Sequence, residues 1–337
     1  MTTVVTGANG HVGANLIRTL LDQGRAVRAL VHTNRKAIES LNIDMVRGDI
    51  CDLSYLCDAF KDAEVVYHLA ARISLSMDEW QRFESINVIG TRNVVEACLN
   101  CGVRRLVHFS SIHAFEQEPL DIPLDESRPL VGLRRGLAYD CSKAAGENEV
   151  CNGIERGLDA IIINPTAIIG PNDYEPSYLG EALLNLAQGK LPALVAGGFD
   201  WVDVRDVVEG AVRAEEKAPT GAKYLLSGQW ASVSDLAAIV EEVTGVPAPR
   251  LVLPLWLARI GAPFTAAFAQ LTGKRPLYTS VSIRALCSNR SVSHERAAHD
   301  FGYNPRPLRE TVVDTLRWFG ENSYLDCTVI PQSAERL

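Results

Sequence analysis

Residues 2–13 read Thr2-Thr3-Val4-Val5-Thr6-Gly7-Ala8-Asn9-Gly10-His11-Val12-Gly13. A short β-branched run enters a glycine-rich turn. The turn opens on His11–Gln23, where Val12, Leu16, Leu20 and Leu21 share one helical face. Gly7 permits the tight turn, Gly10 keeps a Cβ away from an approaching diphosphate, and Gly13 lets the helix pack on the strand. The start of a helix adds N–H donors and partial positive charge. The spacing is G-x-x-G-x-x-G rather than G-x-G-x-x-G. Strand, turn and helix together predict a dinucleotide site built from Gly7, Asn9, Gly10, His11, Val12 and Gly13.

The pattern continues outward from this turn. Apolar runs predict strands at Ala26–Val31, Asp44–Arg47, Glu64–Leu69, Arg105–Ser110 and Ala160–Asn164, and helical periodicity covers Glu79–Asn100 and Asp140–Arg156. Repeated β-α-β with nearly continuous apolar strands means a parallel sheet covered on both faces. Right-handed crossovers make it a Rossmann-type, doubly wound α/β sheet. After Pro165 the order changes. Short strands (Leu194–Ala196, Tyr224–Ser227) alternate with helices at Asp206–Glu216, Val233–Val243, Trp256–Leu271 and Leu308–Phe319. We therefore expect a dinucleotide-binding domain over 1–170, with strands returning from about 194–230. A smaller, interleaved C-terminal substrate lobe would take 171–193 and 231–325.

Composition narrows the function. The 337 residues carry 33 Lys+Arg and 41 Asp+Glu, a net charge of −8, which argues against a general nucleic-acid binder. The eight cysteines are scattered through regular elements, and no leader precedes the first strand, so reduced thiols in a cytoplasmic protein are expected. Cys98-x-x-Cys101 has no second pair at zinc spacing, and no metal is expected. The apolar stretch Leu251–Leu271 contains Pro254, Arg259 and Pro263, a poor membrane span.

Tyr139-Asp140-Cys141-Ser142-Lys143 sets a phenol and an ammonium one helical turn apart. A phenol loses its proton near pH 10, and a neighbouring ammonium would lower that value. The pair would then exchange a proton with an alcohol oxygen while a nicotinamide handles hydride. The fifth strand ends in Ser110-Ser111, at the sheet edge that opens onto a ligand crevice. Ser111 is taken as the hydroxyl on the reacting oxygen and Ser110 as its support. The second strand runs into His32-Thr33-Asn34-Arg35-Lys36, with no carboxylate for a ribose. His32, Arg35 and Lys36 would meet a 2′-phosphate, which favours NADP over NAD.

Together these residues resemble the extended short-chain dehydrogenase/reductase superfamily, which includes the NAD-dependent epimerases and dehydratases. The resemblance spans nearly the whole chain and is nearest the dihydroflavonol-reductase-like and 3β-hydroxysteroid-dehydrogenase-like branch, through Arg28-Ala29-Leu30-Val31, Ser110-Ser111-Ile112 and Gly302–Leu308. It implies adenine contacts from Asp49 and Ile50 and cofactor lining by Leu69, Ala70 and Ala71. It also implies a long-helix motif at Asn87–Thr91, a role for Glu147, and a nicotinamide turn at Pro165 and Thr166. Lys143 would hold the nicotinamide ribose. A homodimer through Glu79–Asn100 and Asp140–Arg156 is a further implication.

The expected activity is interconversion of a carbonyl and a secondary alcohol on a small, fairly apolar substrate, with Ile112 and His113 as substrate contacts. A nucleotide-sugar epimerase or dehydratase with tightly bound NAD is the alternative enzyme. An NADP-binding regulatory protein is the alternative of another class. In the second lobe, Trp256, Leu257, Ile260, Phe264, Phe268 and Leu271 should form an apolar helix face packed in the core, or a lid over the nicotinamide.

Overall fold

The computed structural model describes residues 2–74, 79–132, 136–261 and 279–326. Seven parallel strands make the central sheet: β1 Thr2–Thr6, β2 Ala26–Val31, β3 Asp44–Arg47, β4 Ala63–His68, β5 Arg105–Phe109, β6 Ala160–Pro165 and β10 Lys223–Leu226. Their order is β3-β2-β1-β4-β5-β6-β10. The chain therefore winds outward from β1 in both directions, and the switch point lies between β1 and β4. Helices α1 His11–Asp22 and α7 Val204–Lys217 cover one face. Helices α2 Leu53–Ala59, α4 Gly90–Cys101 and α5 Ala138–Glu155 cover the other. Strand parity explains the division. Val107, Phe109, Ile161 and Ile163 point to the first face, while Leu106 and Ile162 point to the second, and all are buried. Each such aliphatic burial is worth about 2 kcal/mol.

The helix expected over Glu79–Asn100 is not uniform. Trp80–Phe83 is α-helical, Glu84–Ile89 is π-helical, and α4 follows. The wider turn carries Asn87, which α5 approaches closely: a Cβ on Gly146 would lie 2.7 Å from the Asn87 carbonyl oxygen.

Beyond β6 a second layer forms. Strands β7 Ala167–Ile169, β9 Gly198–Asp203 and β11 Gln229–Ser232 pair as β11-β9-β7. Strand β8 Leu194–Val195 pairs with β12 Val252–Leu253. Helices α6 Tyr178–Ala187, α8 Val233–Thr244 and the helix Leu308–Glu321 enclose a separate core around Leu183, Leu236, Trp201 and Phe319. Of the helix expected over Trp256–Leu271, residues 255–261 are helical, while Phe264, Phe268 and Leu271 lie outside the described residues. The expected inward face is not found. Leu255 and Ala258 pack towards Val195, Ile283 and Leu286, but Trp256, Leu257 and Ile260 are exposed, at 64%, 39% and 59%.

Candidate active site

A cavity of about 1730 Å³ runs from the glycine turn, across the switch point, to the second layer. All the cofactor, catalytic and substrate residues expected from sequence line it except Arg35 and Lys36. Arg35 stands exposed in a smaller depression with His32, Met45 and Arg47. Lys36 is drawn away as well, its Nζ 3.3 Å from the Tyr324 hydroxyl and over that ring. Among the bases after β2, only His32 reaches the cavity, beside Thr33 and Asn34.

The turn is closed on the inside and open on the outside. Gly7 has φ +68°, and a Cβ there would meet the Ala70 nitrogen at 2.6 Å. A Cβ on Gly13 would lie 2.3 Å from the Gly7 carbonyl oxygen. At Gly10 the nearest atom would be that same oxygen, at 3.3 Å, with nothing else within 4 Å. Helix α1 has no side-chain cap, and His11, Val12 and Gly13 of its first turn line the cavity beside Gly10. These features fit the diphosphate of a nicotinamide dinucleotide. The His11 ring meets the Pro171 carbonyl oxygen at 3.0 Å and so ties the turn to the second layer.

A buried hydrogen-bond chain joins this turn to the tyrosine helix. The Ala70 N–H donates to the Thr6 hydroxyl (3.2 Å), which donates to His68 Nδ1 (2.8 Å). The Thr91 hydroxyl donates to the Asn87 carbonyl (2.7 Å), so it accepts from His68 Nε2 (3.1 Å). Asn87 Nδ2 donates to the Ser142 hydroxyl (2.9 Å), and Ser142 donates to the Tyr139 carbonyl (2.7 Å). Asn87 Oδ1 also accepts from the Arg72 N–H at 2.7 Å. His68, Ser142 and Arg72 were not singled out in the sequence. The signal for His68 was a histidine following the apolar run Val65-Val66-Tyr67.

Tyr139 and Lys143 sit on α5 as expected. Tyr139 is half-buried in the cavity wall, with the rings of Phe83 and His113 edge-on at 6.0 and 6.2 Å. Burial pushes its phenol up to about 12; a hydrogen bond from Ser111 works against the rise and Asp140 adds to it. The lowering by Lys143 expected from sequence is not what the structure shows. The Lys143 ammonium instead donates to the Phe109 carbonyl at 2.8 Å. Burial brings Lys143 itself down to about 8, with Glu147 opposing. Ser111 caps the short turn Ile112–Ala114, its hydroxyl accepting from the His113 N–H at 3.2 Å.

Behind these residues Asn164 Nδ2 donates to the Ser111 carbonyl (3.1 Å) and to Glu147 (2.6 Å), and Glu147 pairs with Lys223 at 2.6 Å. The Ser110 hydroxyl and Asn164 Oδ1 are buried without a partner among the described residues. Asp200, also missed in the sequence, lines the cavity from β9. It accepts from Thr166 (2.8 Å) and from the Gly228 N–H (2.7 Å), and burial raises it to about 6. The second layer adds apolar side chains to the walls, Leu179, Leu186, Val195, Phe199, Trp201 and Leu236 among them, together with the polar Arg259, Arg284 and Asn289.

A doubly wound sheet with a glycine turn at its switch point, and a tyrosine, a lysine and a serine on one cavity, defines a dinucleotide-dependent enzyme of the short-chain dehydrogenase/reductase type. More particularly, the chain belongs to the NAD dependent epimerase/dehydratase family, whose model matches residues 3–226. It is 35% identical to the sterol demethylase protein B of Methylococcus capsulatus, over 96% of this chain and 100% of the relative. It is 28% identical to the 2-alkyl-3-oxoalkanoate reductase of Stenotrophomonas maltophilia, over 94% and 98% of the two chains. The crystal structure of gox2253 superposes with a TM-score of 0.84 at 33% identity, covering 96% of this chain and 99% of that one.

Proposed function

We propose that the protein is an oxidoreductase that interconverts a carbonyl and a secondary alcohol on a small, fairly apolar substrate, with NADP preferred over NAD. The observation that carries this reading is the meeting of Ser111, Tyr139 and Lys143 on the wall of one cavity that Leu179, Leu186, Val195, Phe199, Trp201 and Leu236 also line. The turn at 7–13 would hold the diphosphate, Asp49 and Ile50 the adenine side, and Lys143 the nicotinamide ribose. Pro165, Thr166, Leu69, Ala70, Ala71 and Ser110 would border the nicotinamide. When bound, that group supplies or accepts the hydride.

In reduction, Ser111 holds the carbonyl oxygen by a hydrogen bond and Tyr139 delivers the proton to it. The high pKa of Tyr139 keeps that proton in place at neutral pH. The Lys143 ammonium, anchored on the Phe109 carbonyl, acts on the cofactor side of the site rather than by lowering the pKa of the phenol. Ile112 and His113 border the substrate beyond Ser111. The alkyl and sterol words in the names of the two relatives agree with an apolar substrate. The second strand, lacking a carboxylate and followed by His32 and the exposed Arg35, supports NADP.

The test is Tyr139→Phe. Turnover of a ketone with NADPH should fall by roughly 10²–10⁴, while the rise in melting temperature on adding NADP persists. Full turnover in that variant would remove Tyr139 as proton donor. An enzyme that retains stoichiometric NAD and consumes no NADPH would favour the epimerase reading. One that binds NADP and turns nothing over would favour a regulatory protein.

A further inference from the structure

Five of the nine large apolar side chains exposed among the described residues fall within residues 251–260: Leu251, Val252, Trp256, Leu257 and Ile260. The short helix at 255–261 is inverted relative to an ordinary surface helix, because its outward face is the apolar one. Charge is segregated over the same region. Residues 243–294 contain six Lys or Arg and no Asp or Glu, in a chain of net charge −8. Arg250 and Arg259, which flank the apolar face, are both exposed. The patch also adjoins the cavity. Arg259 lines it, and β12 pairs with β8, whose Val195 lines it as well.

We propose that this face docks on an anionic lipid surface, lying at the interface without crossing it, with the adjoining cavity turned towards the lipid. An apolar face flanked by cations is the pattern that binds headgroups and buries its side chains at the acyl boundary. Among the described residues no helix is long and apolar enough to cross a membrane. A second copy of the chain fits the patch less well. A two-fold contact sets the same patch against itself, so the cations would face cations with no carboxylate in the segment to answer them. Phosphatidylserine headgroups supply the missing negative charge.

The test is co-sedimentation of the full chain with phosphatidylcholine vesicles, with and without phosphatidylserine, alongside gel filtration without lipid. Binding should be roughly ten-fold or more tighter with phosphatidylserine and weaken as salt rises. Trp256→Ser/Ile260→Ser should abolish it with the melting temperature unchanged, and Arg250→Glu should weaken it while leaving the apolar face intact. No binding to either vesicle, or equal binding to both, overturns the proposal. So does a dimer in the absence of lipid that Trp256→Ser/Ile260→Ser splits, which would assign the face to a second copy.

Discussion

At the residue scale, the active centre rests on a charge the fold resists. Lys143 is buried and its ammonium has one carbonyl partner, so burial brings it down to about 8 from an ordinary 10.5. A depressed lysine pKa means the folded state disfavours the proton. The cost is fully present below about pH 8 and is relieved as pH rises from there towards 10.5. At about 1.4 kcal/mol per pKa unit, the charge costs roughly 3 kcal/mol at neutral pH. Lys143→Met loses the bond to Phe109 yet removes that cost, so it should unfold about 2 kcal/mol less readily in urea and be inactive. In the intact enzyme, reductive kcat/KM should be flat below pH 8 and fall above it as Lys143 loses its proton. Lys143→Arg, which keeps its charge, should move that limb upward in whatever activity remains. A limb that does not move would mean that another group sets it.

At the scale of elements, the glycine turn separates two duties that the sequence presents as one motif. A Cβ on Gly13 collides with backbone on the inner side, and no side chain there can yield. Gly13→Ala should cost roughly 2–3 kcal/mol of stability and abolish the melting shift with NADP. A Cβ on Gly10 meets one atom at 3.3 Å and φ is −72°, so the fold accepts it, but the new methyl stands on the diphosphate side. Gly10→Ala should melt near the wild-type temperature and still lose most of the NADP shift. Normal NADP binding by Gly10→Ala would move the diphosphate elsewhere.

The contrast shows what was legible in the sequence. The turn, the central strands and the Tyr139–Lys143 pair are local patterns, readable because a few neighbouring residues decide them. What escaped depends on distant partners. The π-turn at Glu84–Ile89 lies where Gly146 of α5 packs closely on Asn87. The role of His68 is set by Thr6 and Thr91, and Lys36 is drawn off by Tyr324. The outward apolar face at Trp256 breaks the rule by which apolar periodicity is read as core.

At the scale of the whole molecule, the half of the sheet beyond the switch point carries a pair of buried histidines. His68 and His108 are register partners on β4 and β5, with ring centroids 5.3 Å apart on the face that carries Lys143. Burial first, and then Lys143, lowers His68 to about 3. The same two causes hold His108 well below its ordinary value, and neither of its ring nitrogens has a partner among the described residues. Below about pH 6.5 the unfolded chain takes up protons at these sites and the folded chain does not. Their contribution is therefore full above that pH and is lost as pH falls. Asp200, raised to about 6, works in the opposite sense between about 6 and its ordinary 3.8, so the total stability curve mixes both signs. The difference between wild type and His108→Leu removes that confusion, because Asp200 is common to both. This difference should shift in favour of the variant by about 1.4 kcal/mol for each pH unit below 6.5. Urea unfolding of both proteins at pH 7, 6 and 5 reads it directly. A constant difference across that range would mean that His108 takes up a proton in the folded state as readily as in the unfolded chain.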